Sequence, residues 1–102
     1  MDSFAALADP TRRRILEMLA RGSLSSGEIA ARFEVSAPAV SQHLQALRKA
    51  KLVRVRAVAQ RRIYELERDG VEEVSDWLER IRLFWGRRLD TLEELLNKEP
   101  VP

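Results

Sequence analysis

The hydrophobic pattern of this 102-residue chain changes its period at Lys51, and this change limits the folds that the chain can adopt. Before Lys51, apolar residues recur every three or four positions, as they do on one face of an α-helix. After it, they alternate with polar residues in 52–56 and again in 62–66, as in half-buried β-strands. From Val71 the helical period returns. The pattern predicts a mainly α fold with one small β-hairpin.

Residues 36–50 carry a polar outward face with no acidic side chain. Val40, Leu44 and Leu47 lie at i, i+4 and i+7 and form the apolar stripe of a helix. The opposite side carries amide, hydroxyl and cationic groups, which suit base edges and the neighbouring phosphates. The residues of this side and its flanks are Pro38, Ser41, Gln42, Gln45, Arg48 and Lys49. We interpret this segment as a recognition helix.

A shorter helix precedes it. Ser25 and Glu28 have the spacing of a capping box, in which each side chain accepts from the other residue's backbone N–H. The buried side of a helix of little more than two turns would be formed by Ile29, Ala30 and Phe33. Residues 34–36 then predict a tight turn, with Val35 filling its corner and Ser36 capping the recognition helix. This arrangement is typical of a helix-turn-helix, although many helical proteins contain such a corner for packing alone.

The predicted hairpin carries several cations. Arg54 and Arg56 share one face of the first strand, and Arg61 and Arg62 lie where the chain returns. A basic hairpin after a recognition helix is a wing that can reach a phosphate or the minor groove. The alternative is a surface hairpin with ordinary solvated arginines. Residues 58–60 contain no glycine, so we expect no tight primed turn at the tip.

The net charge of +2 conceals an asymmetry. Residues 11–66 carry twelve Lys or Arg against four Asp or Glu, whereas 67–102 carry six against ten. The basic charge therefore accompanies the predicted recognition helix and hairpin. This distribution indicates a polyanion binder, with a solvated arginine-rich surface as the alternative.

Helical segments flank this central region. Residues 4–8 form a short apolar segment that Asp2 or Ser3 can cap, and a second helix is expected over 10–21. Asp9 would cap this second helix and Gly22 would end it. Its predicted buried residues are Ile15, Leu16 and Leu19.

A long helix is predicted from about Val71 to Asn97. Its apolar seam steps by three or four residues, with one stutter at Trp85, through Val71, Val74, Leu78, Ile81, Trp85, Leu89, Leu92 and Leu96. Trp77, Leu83 and Phe84 would widen the apolar surface beyond this stripe. So broad a face predicts burial against a second copy, whereas a helix folded wholly onto its own domain is the alternative. Gly86 would mark a close helix crossing.

Several classes of site are excluded by composition. The chain has no cysteine and one histidine, His43, so disulfides and thiolate metal sites are absent. The acids Asp69, Glu72, Glu73, Asp76 and Glu79 are read as a solvated face, and we expect no metal and no cofactor. No catalytic constellation can be assembled, so the chain is not predicted to be an enzyme. With neither a signal peptide nor an apolar run of membrane-spanning length, we expect a cytoplasmic protein.

Three segments together identify a likeness: ALADPTRRRILEML, SSGEIAARFEVSAPAVSQHLQALRKAKLV and RRIYEL. From about residue 4 to 66 the chain resembles the ArsR-type family of small winged-helix transcription repressors. The resemblance implies a homodimer built through the first and last helices, which binds a dyad-symmetric operator on double-stranded DNA. It carries Ser41, Gln42 and His43 over as candidate groove residues and 54–62 as the wing. His43 lies closer to the core stripe than Gln42, so a packing role remains open.

The complete prediction is a single winged helix-turn-helix domain over 1–98, dimeric through its terminal helices. It comprises a helix-turn-helix at about 25–50, a wing at about 52–66, a C-terminal helix at about 70–97 and a frayed tail at 99–102. The candidate DNA contacts are Ser36, Ala37, Ser41, Gln42, His43, Gln45 and Arg48 in the recognition helix, and Arg54, Arg56, Gln60, Arg61 and Arg62 in the wing. The candidate dimer contacts are Phe4, Leu7, Val74, Trp77, Leu78, Ile81, Trp85, Leu89 and Leu92.

The competing function is a winged-helix protein-interaction module that uses its amphipathic C-terminal helix. Such a module would show no salt-dependent binding to duplex DNA and would expose the seam as a monomer. The sequence names no small-molecule effector, and the operator and target genes are open.

Overall fold

The computed structural model describes residues 2–98, so the predicted frayed tail at 99–102 lies outside the described residues. Five α-helices and three β-strands follow one another along the chain. They are α1 (Ser3–Leu7), α2 (Pro10–Ala20), β1 (Leu24–Ser25), α3 (Ser26–Ala30), α4 (Ala37–Lys49), β2 (Val53–Val58), β3 (Arg61–Leu66) and α5 (Arg68–Lys98). The predicted order of helix-turn-helix, hairpin and long helix is confirmed.

Side-chain caps start the first four helices. Asp2 accepts from the Ala5 N–H at 2.7 Å, and Asp9 accepts from the Thr11 N–H at 2.8 Å. The predicted capping box is present, because Ser25 Oγ accepts from the Glu28 N–H and Glu28 Oε1 accepts from the Ser25 N–H, both at 3.1 Å. The hydroxyl of Ser36 accepts from the N–H of the third residue of α4 at 3.3 Å. Each cap satisfies a helix donor that would otherwise lack a partner.

The helix-turn-helix differs from the prediction in its first helix and its corner. α3 has only five residues, which is little more than one turn, whereas the sequence predicts a helix of little more than two turns. Phe33 follows it, half-buried against the core, with the Arg14 guanidinium 4.9 Å from its ring centroid. Val35 does not fill the corner, since 42% of it is exposed. Ile29 is fully buried and Ala30 packs partly buried against the core, so these two side chains anchor the short helix.

α4 ends in a backbone turn that the sequence does not predict. Lys51 has φ 59°, and the N–H groups of Lys51 and Leu52 donate to the carbonyls of Arg48 and Leu47. This is a Schellman motif with lysine at the left-handed position that glycine usually occupies. The N–H of Gly70 in turn donates to the Lys51 carbonyl at 2.9 Å, which joins the start of α5 to this turn. A Cβ at Gly70 would lie only 2.3 Å from that carbonyl oxygen.

The sheet has three antiparallel strands in the order β1-β3-β2, rather than the two strands predicted. β1 pairs Leu24 with Tyr64 and Ser25 with Ile63. A strand of two residues carries no detectable alternation, so sequence periodicity could not reveal it. This strand fastens the start of α3 to the middle of the hairpin.

The hairpin tip is a tight turn, so the expectation that such a turn is absent is wrong. Val58 pairs with Arg61, so only Ala59 and Gln60 connect the strands, and Ala59 has φ 55°. Positive φ at the first position of a two-residue loop is what a type II′ turn requires. Alanine adopts this conformation at a cost that glycine would avoid, because its Cβ crowds the neighbouring carbonyl.

One core joins these elements. Its largest fully buried hydrophobic side chains come from α2, α3, α4 and the chain that enters β2: Ile15, Ile29, Val40, Leu44, Leu47, Leu52 and Val53. The Ser3 hydroxyl is also buried and donates to the Ala50 carbonyl at 3.1 Å, which ties α1 to the end of α4. The predicted buried stripes of α2 and α4 are confirmed, with Leu16 half-buried.

α5 leaves this core after its first two turns. Val71 and Val74 pack against the core, but Leu89, Leu92 and Leu96 are 57%, 54% and 68% exposed. The helix has 31 residues and is therefore about 46 Å long. No atom outside the helix lies within 4 Å of a Cβ built on Gly86, so the predicted close crossing is absent within one protomer.

Candidate nucleic-acid interface

The outward face of α4 is free of internal partners. Ser41, Gln42, Gln45 and Arg48 are exposed, whereas Val40, Leu44 and Leu47 hold the opposite face in the core. Within residues 2–98 these four polar side chains make no hydrogen bond or ion pair with the rest of the chain. Their donors and acceptors are available for base edges and phosphates.

Ser36 and Ala37, the first two candidate DNA contacts, lie at the start of α4. Ser36 is the N-cap, so one lone pair of its hydroxyl is already occupied by the Ala39 N–H. Ala37 is exposed at the first helical position and presents only a methyl group. A methyl group can contact the methyl of thymine but cannot hydrogen-bond a base.

His43 lies on the flank of α4 that faces α2. It is half-buried, and its Nδ1 accepts a hydrogen bond from Arg12 Nε at 3.2 Å. This contact occupies one ring nitrogen and joins the recognition helix to α2. The position agrees with the packing role that sequence analysis left open beside base contact.

The strand register separates the wing residues onto two faces. Successive side chains of a strand point to opposite faces, and directly paired residues share a face. Arg62 pairs with Ala57 and lies on the same face as Tyr64, which is buried. Arg54, Arg56 and Arg61 lie on the other face. The five predicted wing residues therefore do not form one surface.

The arginines of the outer face have acidic partners. Glu65 Oε1 lies 2.8 Å from Arg54 Nε and 3.5 Å from Arg56 Nε. Arg61 Nη2 lies 2.9 Å from Glu28 Oε1 and donates to Ser25 Oγ at 3.1 Å. These pairs are exposed and individually weak, but they reduce the positive charge that the outer face presents.

Arg62 instead borders the recognition helix. A cleft of about 250 Å³ separates the hairpin from α3 and α4, and its lining includes Arg62, Ser41, Ala37 and Ser26. Gln60 lines the neighbouring cleft beside α3. In the described part of the chain Arg62 has no ion pair or hydrogen bond. One unneutralised cation of the wing thus lies beside the exposed side of the recognition helix.

Two carboxylates stabilise the scaffold around this surface. Burial raises the pKa of Asp9, but hydrogen bonds from the backbone N–H groups of Arg12 and Thr11 outweigh this effect, so the pKa lies below that of an ordinary Asp carboxyl. Hydrogen bonds from the Ser25 backbone N–H and hydroxyl, and to a smaller extent the charge of Arg61, lower the pKa of Glu28 below that of an ordinary Glu carboxyl. Both carboxylates therefore remain ionised at neutral pH and hold the starts of α2 and α3.

The candidate dimer residues lie along α1 and α5. Leu7, Val74 and Ile81 are half-buried. The exposed members are Phe4, Trp77, Leu78, Trp85, Leu89 and Leu92. Phe4 and Trp77 make an edge-to-face contact with centroids 5.1 Å apart, which joins the two helices within one protomer. Leu83 is also exposed but lies on the far side of α5 from the seam, so it does not widen that face.

Over residues 2–98, no three His, Asp or Glu side chains come together in a way that could hold a metal ion. None of the helices in this range combines the length and the apolar character that a membrane crossing requires.

The fold and this surface define a winged helix-turn-helix protein. Residues 7–56 match the protein family described as Helix-turn-helix domain. The chain is 44% identical over 97 residues to the HTH-type transcriptional regulator Rv2034 of Mycobacterium tuberculosis, covering 95% of this chain and 88% of that protein. It is 35% identical over 75 residues to the transcriptional repressor SdpR of Bacillus subtilis, covering 74% and 83%.

A solved structure shares the same fold. The crystal structure of the ArsR family transcriptional regulator RHA00566 aligns with a TM-score of 0.73 and 31% identity, covering 82% of this chain and 92% of that one. The chain belongs to the ArsR-type family of winged helix-turn-helix transcriptional regulators. The resemblance noted from the sequence is confirmed.

Proposed function

We propose that this regulator is a repressor that binds a dyad-symmetric operator as a homodimer, with residues 1–98 acting as one DNA-binding domain. The observation that carries the proposal is the exposed, unpartnered polar face of α4 beside the unpaired Arg62. A repressor is favoured because a relative that is 35% identical over 75 residues is itself named a transcriptional repressor.

In this proposal α4 enters the major groove. Gln42 reads adenine through its paired donor and acceptor, and Ser41, Gln45 and Arg48 contact base edges or phosphates. Ser36 and Ala37 approach the backbone at the start of the helix, and His43 supports the helix from its flank. Half-sites then lie about 10 bp apart, or a multiple of that, as two-fold symmetry requires.

The wing supplies affinity that does not depend on sequence. Arg62 is the principal contact, because no acid in the described chain neutralises it and it adjoins α4. Gln60 at the tip contributes a further polar contact. Arg54, Arg56 and Arg61 contribute mainly by long-range attraction, since Glu65 and Glu28 accompany them.

The first experiment is a titration against random genomic duplex fragments at two salt concentrations, followed by sequencing of the fragments retained at the higher one. We expect enrichment of a dyad-symmetric site and a steep loss of affinity with salt. Absence of binding even at low salt would refute DNA recognition. The exposed α5 face would then point to the protein-interaction module.

The homodimer is tested by two leucines of equal exposure. Leu92 is 54% exposed on the α5 seam, and Leu83 is 56% exposed on the far side of the same helix. Leu92→Glu should dissociate the dimer in analytical ultracentrifugation, because it places a charge in the apolar contact. Leu83→Glu adds the same charge at an equally exposed position and should leave the dimer intact. A wild-type chain that sediments as a monomer at high concentration would contradict the homodimer.

A further inference from the structure

The two ring nitrogens of His43 have different surroundings. Nδ1 accepts a hydrogen bond from Arg12 Nε at 3.2 Å. Nε2 makes no hydrogen bond within residues 2–98. In the same range no buried side-chain nitrogen or oxygen lacks a hydrogen-bond partner, so Nε2 must reach solvent. The imidazole is therefore held on the side that faces α2 and is open on the other side.

Arg12 determines which ring nitrogen carries the proton. The Nε atom of arginine is a donor and never an acceptor, whereas a neutral imidazole has one donor nitrogen and one acceptor nitrogen. Because Nδ1 accepts from Arg12, the proton of the neutral ring lies on Nε2. The solvent-facing atom of His43 is therefore an N–H donor, which suits an acceptor on DNA.

The backbone of Arg12 is itself held by the cap of α2. Arg12 is the third residue of this helix, and its backbone N–H donates to Asp9 Oδ1 at 3.2 Å. The same carboxylate oxygen accepts from the Thr11 N–H at 2.8 Å. The half-buried Arg12 side chain thus extends from an ordered helix start to the flank of α4.

We infer that Arg12 is a positioning residue for DNA binding, because it holds the His43 ring in the tautomer that donates through Nε2 to a phosphate oxygen. His43 lies on the flank of α4 rather than at the centre of its outward face, which favours a phosphate at the wall of the groove. Phosphate contacts fix the orientation of a protein on the duplex. The inference rests on the proposed DNA binding and gives a role in it to a residue outside the helix-turn-helix.

Two uncharged substitutions separate this role from the charge of Arg12. The amide nitrogen of Arg12→Gln lies the same number of bonds from Cα as the arginine Nε atom, so a donor to Nδ1 is retained. Arg12→Met has a similar length but no donor. Both variants lose one positive charge, so any direct attraction between Arg12 and DNA is removed equally from the two.

Fluorescence anisotropy with operator and random duplexes measures the effect on binding. A ring that Arg12 no longer holds must be immobilised when DNA binds, which costs roughly threefold in affinity for each protomer. We therefore expect the dimer of Arg12→Met to bind both duplexes about tenfold more weakly than that of Arg12→Gln. His43→Gln keeps a donor near the Nε2 position that does not depend on Arg12. In that background the two Arg12 variants should bind equally.

The tautomer can be observed directly in the free protein. His43 is the only histidine of the chain, so its ring nitrogens give the only imidazole signals of the untagged protein. Nitrogen–proton correlation spectra of histidine-labelled protein distinguish the two tautomers. At about pH 8.5, where the ring is neutral, we expect the Nε2–H form in the wild type and in Arg12→Gln. Arg12→Met should show a mixture of both forms.

The outcomes separate the role of Arg12 from DNA binding itself. Equal affinities of Arg12→Met and Arg12→Gln, with wild-type binding retained, would overturn the inference and leave DNA recognition intact. An Nδ1–H tautomer in the wild type would overturn it without any binding experiment, even where Arg12→Met fails to fold. A loss confined to the operator would show a base contact and overturn the phosphate assignment. A wild type that binds no duplex would refute the proposed function and the phosphate contact with it.

Discussion

Replacement of Arg62 by alanine tests whether the strand face decides which wing arginine reaches DNA. Arg62 lies on the α4 side of the hairpin and has no partner in the described chain, whereas Arg61, its sequence neighbour, is paired with Glu28 at 2.9 Å on the other face. Arg62→Ala should therefore remove one phosphate contact from each protomer. Arg61→Ala removes the same charge and is the matched control.

The magnitude follows from counterion release. Each lost phosphate contact lowers the slope of log K against log salt by about 0.9, so a dimer that loses two contacts loses about 1.8. At 0.1 M salt the affinity should then fall roughly 60-fold, and by the same factor for operator and random DNA. Arg61→Ala should change the slope much less, because its pairing with Glu28 already reduces its charge.

Fluorescence anisotropy with labelled duplexes at four or more salt concentrations measures these slopes. Circular dichroism of both variants establishes that the fold is unchanged. Equal slope changes for Arg61→Ala and Arg62→Ala would show that the register does not separate the two arginines in function. A loss confined to the operator would instead make Arg62 a base-reading residue.

Three further predictions concern the recognition helix, the α4–α5 junction and the acid limit of stability. Gln42→Ala should cost about 1–3 kcal/mol on the operator and almost nothing on random DNA, and equal losses on both would exclude base reading by this side chain. Gly70→Ala should destabilise the protein by about 1–3 kcal/mol in urea unfolding, because its Cβ would meet the Lys51 carbonyl oxygen at 2.3 Å. Gly86→Ala, with open space around it, should be neutral or stabilising, and similar destabilisation of both variants would argue against this close approach. The pKa values of Asp9 and Glu28 lie below those of ordinary carboxyl groups, so their stabilising contribution is complete above about pH 5 and is lost as pH falls through the lowered values. Asp9→Asn should flatten the loss of thermal stability between pH 5 and 2, and an unchanged acid slope would contradict a stabilising role for the ionised carboxylate.

Local patterns in the sequence identified most of the elements. The buried stripe of α4, the capping box of α3, the hairpin and the long final helix are each specified by neighbours within a few residues of one another. Such features depend on periodicity and on backbone donors that only adjacent side chains can satisfy. They could therefore be predicted before any tertiary contact was known.

Other features depend on residues that are distant in sequence. β1 exists because Leu24 meets Tyr64, and the tight turn at Ala59 exists because the paired strands enforce it despite the absence of glycine. Val35, which the turn pattern predicts in the corner, is exposed, and α3 already ends at Ala30. None of these outcomes has a local sequence signal.

The candidate interface also combines features that local sequence specifies with features that depend on distant residues. The polar, acid-free character of the exposed side of α4 follows directly from the sequence, because the apolar stripe that binds the core leaves only those residues outside. The position of Arg62 beside that surface, with Arg54, Arg56 and Arg61 on the opposite face next to Glu65 and Glu28, depends on contacts between distant residues. Charge is a property of the residue, but the partner that neutralises it is set by strand register and packing across the fold.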